Sequence, residues 1–221
     1  MLLHAERQAI VDACRSMLSA RLVVNTSGNV SVRVGTTIAI TPSGVPYDRM
    51  TAQDICLIGL ESGTEEEGAL RPSSELPLHL AVYRATEALA IVHTHSMYAT
   101  ALSTILDQLP AIHYHIADLG GPVPVVRYAT FGTEALAASV VAGLAGRNAV
   151  LMQNHGATTI GRDLPRALAR AFTLEWLAEV YYHGSVLGTP SVLEPDEIAT
   201  VVSAQRALAE ERAARLKARS G

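Results

Sequence analysis

Two pairs of short apolar segments, each closed by a tight turn, restrict this chain more than any other feature. Residues 29–34 (NVSVRV) and 36–41 (TTIAIT) alternate apolar and polar positions on either side of Gly35, the pattern of a β-hairpin. The segments AVLMQ and ATTIG flank Asn154-His155-Gly156 in the same manner. Hairpins impose antiparallel pairing. Three further strand patterns, ICLIGL (55–60), ALAIVHTH (88–95) and VPVVRY (123–128), stand among helical ones. Residues 5–20 space Ile10, Cys14, Met17 and Leu18 as an amphipathic helix. Thr51 to Asp54 resembles a short cap before residue 55. Ser73-Ser74-Glu75 opens a helix with apolar face Leu76, Leu80 and Tyr83, Ser73 or Ser74 being the expected cap. Helices are also predicted over 96–104, 111–121 (stopping at Gly120-Gly121), 132–146, 163–187 with Pro165 in the first turn, and from Pro195 to the end. Residues 61–72 read as an exposed loop. Hairpins mixed with helices, without regular βαβ winding, describe a layered α/β fold. No linker or repeat divides the chain, so residues 1–221 are expected to form one domain.

Composition narrows the class. Apolar residues make up 49% and charged residues 17%, which excludes intrinsic disorder. Polar residues, Gly or Pro interrupt every apolar run well short of a membrane span. A chain so poor in charge is expected to hide surface against copies of itself. Lys and Arg total 17 against 21 Asp and Glu, so nucleic acid is not an expected partner. Cys14 and Cys56 lie in apolar segments without metal spacing and read as buried, reduced thiols. The N-terminal residues turn charged at once, without a signal-peptide core. A cytoplasmic location is expected.

Six of the eight histidines fall between His79 and His155. His93 and His95 are two apart on a predicted strand and therefore point to one face, where both could meet one ion. His113 and His115 have the same spacing in a segment of helical pattern, which would turn them about 200° apart. Zinc needs three or four donors. His155 at a hairpin tip and Glu75 at a helix start could complete the set. The same spacings fit hydrogen-bonded core histidines with His155 as a surface turn residue. Three turns, Thr26-Ser27-Gly28-Asn29, Thr41-Pro42-Ser43-Gly44 and Pro72-Ser73-Ser74, offer hydroxyl and backbone N–H donors to an anion. Such residues are also ordinary turn formers. They lack the glycine patterns of nucleotide-binding loops, which argues against a nucleotide site.

The ordered set of motifs resembles the class II aldolase/adducin family over nearly the whole chain. It runs through Thr26-Ser27-Gly28-Asn29-Val30-Ser31, Thr41-Pro42-Ser43-Gly44, Pro72-Ser73-Ser74-Glu75 with His79 four residues on, and His93-Thr94-His95-Ser96. It continues with Ala111-Ile112-His113-Tyr114, Tyr128 to Thr133 and Asn154-His155-Gly156. The resemblance implies a three-layer α/β/α fold around a central, mostly antiparallel sheet. It implies a catalytic Zn²⁺ held by His93, His95, His155 and Glu75, with Glu75 also the acid/base carboxylate. Mn²⁺ or Co²⁺ would suit the same donors. By the same resemblance Thr26, Gly28, Asn29, Ser43, Gly44, Ser73 and Ser74 hold a substrate phosphate, and Phe131 borders an aldehyde pocket. Tyr114 would come from a neighbouring subunit of a homotetramer with active sites at its interfaces.

The implied reaction is reversible cleavage of a ketose 1-phosphate to dihydroxyacetone phosphate and a small aldehyde such as lactaldehyde. L-Fuculose 1-phosphate or a related deoxy sugar phosphate would be the substrate. Methylthioribulose-1-phosphate dehydratases, pentulose-phosphate epimerases and adducin-like binding domains share the scaffold. Epimerases carry Asp where this chain has Glu75, and adducin-like domains lack the metal histidines. The chain departs from the family at its tail, where residues 205–221 contain no aromatic residue, and around Asp118 and Gly120 to Pro124.

Overall fold

The computed structural model describes residues 1–219, and the side chains of residues 1–215. The chain begins with α1 (His4–Ser19), the hairpin β1 (Asn29–Val34) and β2 (Thr37–Ile40), then β3 (Cys56–Gly59) and β4 (Glu65–Glu67). Next come α2 (Leu76–Ala85), β5 (Ala90–Thr94), α3 (Met97–Ser103), β6 (Gln108–Leu109) and β7 (Val123–Val126). The remainder is α4 (Glu134–Gly143), the hairpin β8 (Ala149–Met152) and β9 (Gly156–Gly161), α5 (Leu164–Leu187) and α6 (Pro195–Arg219). The last two residues of the predicted terminal helix lie outside the described residues. No helix among those described is long and apolar enough to cross a membrane.

The strands form one sheet in the order β4-β3-β2-β1-β5-β9-β8-β7-β6. Both predicted hairpins are present, with Val34 opposite Thr37 and Met152 opposite Gly156. Every pairing is antiparallel except β7 with β8. The period of two sorts side chains between the faces. Ala39, Leu57, Ala90 and Val92 meet α1 and the first turns of α5. Their neighbours Ile38, Ile40, Cys56, Ile58 and Ile91 meet α2 and α4. Ala149 and Leu151 pack with α3 and the middle of α5, whereas Val150 and Met152 join the α2–α4 side. The result is the three-layer α/β/α arrangement, and a sheet covered on both faces accounts for much of the apolar content. Cys14 and Cys56 are free and buried, and burial pushes their thiols up to about 12 and about 11.

Several local expectations need correction. Residues 65–67 are not loop but β4, an exposed edge strand of three glutamates paired to β3. Acidic side chains keep such an edge from pairing with another molecule, and they leave no apolar period to read. The short β6 was likewise not predicted. Neither Ser73 nor Ser74 is the cap residue of α2, because Glu75 occupies that position. Ser73 instead uses its hydroxyl oxygen to accept the Glu75 N–H at 3.2 Å. The predicted helix over 111–121 is a six-residue 3-10 helix, Tyr114–Leu119, preceded by an extended His113. Consequently the His113 and His115 rings do not diverge; they stack with centroids 4.9 Å apart.

Candidate metal centre and anion cavity

The sheet order brings the predicted ligands together. Antiparallel pairing sets Asn29 on β1 opposite His93 on β5, and His93 opposite Thr158 on β9. His95 follows the end of β5, and His155 sits in the β8–β9 turn after Asn154, whose φ is 56°. Gly156 lets that turn close on β5, since a Cβ there would lie 2.2 Å from the Thr94 carbonyl oxygen. Gly28, at φ +79°, similarly allows its turn to lie against the His93 carbonyl oxygen, 2.8 Å from where a Cβ would stand. Glu75 enters from the start of α2.

One ligand atom from each of Glu75, His93, His95 and His155 lies within 4.8 Å of all the others. The three imidazoles meet edge to face, with centroids 4.7, 5.0 and 4.9 Å apart. The donor chemistry of this cluster fits a cation. His93 Nδ1–H donates to the Ala157 carbonyl at 2.9 Å, a backbone contact that fixes the ring as such contacts do behind metal-bound histidines. With Nδ1–H spent on Ala157, a neutral His93 turns a lone pair at Nε2 inward, whereas a protonated His93 donates from Nε2 to Glu75. That nitrogen faces His95 Nε2 at 2.9 Å and Glu75 Oε2 at 2.9 Å. Glu75 Oε1 is buried without a hydrogen bond, 3.4 Å from His155 Nε2. Acceptors converging in this way need a positive charge among them. Zn²⁺, Mn²⁺ and Co²⁺ all match three imidazoles and a carboxylate.

The surroundings set the protonation states. Burial would raise the Glu75 carboxyl, but the charge and hydrogen bond of His93, the charge of His155 and the Asn29 hydrogen bond hold it well below the usual carboxylate range. Burial, with His93 and His155 nearby, pushes His95 down to about 3. Burial and His93 push His155 down to about 4. Both imidazoles are thus held toward the neutral form that a metal requires. Burial would lower His93 too, but the Glu75 charge and hydrogen bond and the Ala157 carbonyl raise it, so a cation binding there displaces a proton. His79, behind Asn29, is pushed down to about 3 by burial, against the opposing charge of Glu75.

Beside the cluster lies a cavity of about 270 Å³. All seven residues expected around a phosphate line it: Thr26, Gly28, Asn29, Ser43, Gly44, Ser73 and Ser74. So do Glu75, His95, His155 and Phe131. The turns are tied to one another, because Ser43 N–H donates to Arg71 O, Ser73 N–H donates to Thr41 O, and Pro42 bridges Pro72. Those two amides are therefore spent on the scaffold, which leaves the hydroxyls and the Gly28 and Gly44 amides as donors toward the cavity. Sequence reasoning did not single out Tyr128 and Asn154, which also line the cavity. Their only signal is position, one heading the Tyr128–Thr133 motif and the other preceding His155. Tyr114 does not line this chain's cavity. It packs against both neighbouring rings, tilted to His113 with centroids 4.4 Å apart and stacked on His115 at 4.5 Å, and is half exposed.

A three-layer fold with this cluster beside an anion-friendly cavity describes the class II aldolases, and comparison with known proteins agrees. The family model described as Class II Aldolase and Adducin N-terminal domain matches residues 8–182. The 5-deoxy-D-ribulose 1-phosphate aldolase of Bacillus thuringiensis serovar kurstaki is 39% identical over 201 residues, 90% of this chain and 94% of that one. The L-fuculose phosphate aldolase of Escherichia coli K12 is 41% identical over 196 residues, 87% of this chain and 90% of that one. A solved L-fuculose 1-phosphate aldolase superposes with a TM-score of 0.88 at 33% identity, covering 91% of this chain and 96% of its own. The chain belongs to the class II aldolase and adducin family, and it is a metal-dependent lyase of the aldolase type.

Proposed function

We propose that this enzyme cleaves a ketose 1-phosphate, L-fuculose 1-phosphate or a related deoxy sugar phosphate, reversibly to dihydroxyacetone phosphate and a small aldehyde. The observation that carries this reading is the shared cavity. Hydroxyl-bearing turns suited to a phosphate and a three-histidine, one-carboxylate cluster border the same space. The similarity to aldolases of fuculose phosphate and 5-deoxyribulose phosphate supports the choice of substrate.

Thr26, Gly28, Asn29, Ser43, Gly44, Ser73 and Ser74 anchor the phosphate and so place the sugar carbons beside Glu75. A divalent cation, Zn²⁺ in this reading, held by His93, His95, His155 and Glu75, supplies Lewis acidity to the substrate carbonyl. Glu75 moves the proton at the nucleophilic carbon of dihydroxyacetone phosphate through one carboxylate oxygen. Phe131 shields the aldehyde end from water. Tyr114 serves the aldehyde-side oxygen in the cavity of a neighbouring copy, within a homotetramer whose active sites lie at its interfaces. Its exposure and its absence from this chain's own cavity lining support that assignment. The two buried, free thiols support a cytoplasmic location.

The test is a panel of ketose 1-phosphates, fuculose, 5-deoxyribulose and methylthioribulose among them, assayed by release of dihydroxyacetone phosphate. Release is expected from at least one, abolished by a chelator and restored by Zn²⁺, Mn²⁺ or Co²⁺. Consumption without dihydroxyacetone phosphate would indicate dehydratase or epimerase chemistry, and no turnover at all would remove the aldolase reading.

A further inference from the structure

Behind Asn29 a single file of hydrogen-bonding groups runs from the metal cluster into the core. Asn29 Nδ2 donates to Glu75 Oε2 at 2.9 Å, and Asn29 Oδ1 meets His79 Nε2. Ser31 Oγ lies 2.6 Å from His79 Nδ1 and 2.7 Å from the Tyr83 hydroxyl. All five residues are buried. Only two elements supply them. Asn29 and Ser31 are two apart on β1 and share a face. Glu75, His79 and Tyr83 follow at four-residue steps from the cap along one side of α2.

The polarity of the file is settled by what each group can offer. An ionised Glu75 only accepts, so Asn29 must turn its NH₂ to Oε2 and leave Oδ1 toward His79. An amide oxygen only accepts, so His79 carries its hydrogen on Nε2. The neutral ring then has a lone pair at Nδ1, so Ser31 donates to it, and the Ser31 oxygen accepts from Tyr83. Reversing Asn29 would set an amide oxygen against the carboxylate. It would also require His79 to change tautomer, with Ser31 Oγ then accepting from Nδ1–H instead of donating to it. A leucine on this side of α2 would fill the core without burying polar groups. The polar side chains are instead satisfied one after another, ending at Glu75.

We propose that His79, backed by Ser31 and Tyr83, is a positioning residue for Glu75. It pins the Asn29 amide, Asn29 fixes Oε2, and Oε1 is left as the oxygen free to face the cation and the substrate. His79 acts without touching either. This inference rests on the role given to Glu75 in the proposed reaction.

The experiment compares His79→Leu, His79→Gln, Ser31→Ala and Tyr83→Phe with the wild-type protein. Melting temperature, kcat, KM and the visible spectrum of the Co²⁺-loaded protein are measured for each. Removing an outer partner of a metal ligand costs about 10- to 100-fold in activity or metal affinity. His79→Leu should therefore lower kcat by roughly that factor, with KM changed by less than about threefold. Its cobalt spectrum should shift. His79→Gln keeps an N–H near the Nε2 position and should recover most of kcat, which a packing role alone does not explain. Loss should diminish along the file, from His79→Leu to Ser31→Ala to Tyr83→Phe. Wild-type kcat and an unchanged cobalt spectrum in both His79→Leu and Ser31→Ala would overturn the inference. If His79→Leu does not fold, Ser31→Ala decides: lowered kcat at unchanged KM supports it and wild-type kcat refutes it. If the wild-type protein cleaves no ketose 1-phosphate, the proposed reaction fails separately. The Co²⁺ spectrum and affinity of the His79 and Ser31 variants then decide whether Glu75 is positioned in this way.

Discussion

Glu75 sits where burial and charge oppose each other, and charge prevails. An ionised carboxylate with one oxygen tied to Asn29 and the other unpartnered suits both a cation and a transferable proton. Glu75→Gln removes the charge and the base while nearly keeping the shape. Turnover should fall by about 10²- to 10⁴-fold, with Zn²⁺ content and phosphate binding largely kept; a variant that still turns over would refute the assigned role. His79 carries a pH signature. Its folded value of about 3 lies below the ordinary 6.5, so between those values the unfolded chain binds the proton and the folded chain does not. His79 therefore makes stability rise with pH in that window. Stability is full above about 6.5 and is lost as pH falls toward 3, by about 1 kcal/mol per pH unit for this group. The urea midpoint should drop between pH 7 and pH 5, and drop less in His79→Gln; equal slopes would show that His79 is not held neutral. Residue type and spacing offered the four candidate ligands, His93 and His95 through strand period and His155 through its turn, but fitted hydrogen-bonded core histidines equally well; the family resemblance chose between the two readings. The polarity of the file behind Asn29 was not visible, because hydrogen-bond direction depends on which partner each atom meets.

Among the elements, the β8–β9 turn and the end of β5 do most to shape the site. Gly156→Ala would place a methyl group 2.2 Å from the Thr94 carbonyl oxygen, a clash with backbone that only separation of the strands relieves. The variant should lose about 2–3 kcal/mol of stability in urea unfolding. It should also lose bound metal, because His155 would move from His93 and His95. Wild-type metal content in a folded Gly156→Ala protein would contradict this placement. Both hairpins were legible because alternation and turn chemistry are local signals. The segment 111–121 was misread because Ile112, Ile116 and Leu119 carry a helical spacing that a 3-10 helix after an extended His113 also satisfies. The strands β4 and β6 span three and two residues, too short to show a period.

For the whole molecule, the two-sided sheet absorbs much of the apolar composition, yet large apolar side chains remain outside. Met97 is 74% exposed, Ile105 75% and Trp176 43%, on or next to α3 and α5. Trp176 meets His113 edge-on, centroids 4.8 Å apart, beside Tyr114. A homotetramer would cover apolar surface of this kind, as the cores of subunit interfaces do. Light scattering at micromolar concentration should give the mass of four chains, and the melting temperature should rise with protein concentration. A monomer under those conditions would rule the assembly out, and with it the placement of Tyr114 in a neighbour's cavity.

Local periodicity and turn chemistry are written along the chain, which is why hairpins, long helices and ligand types could be read before any fold was known. Convergence is not local. Residues 29, 75, 93 and 155 meet because β1, β5 and β9 are adjacent in the sheet and α2 begins over their ends. That adjacency is the outcome of burying both faces of the sheet at once, a condition that no single segment carries. The family resemblance named the partners in advance; their distances, the unpartnered Glu75 oxygen and the one-way file through His79 exist only where β1 and α2 pack together.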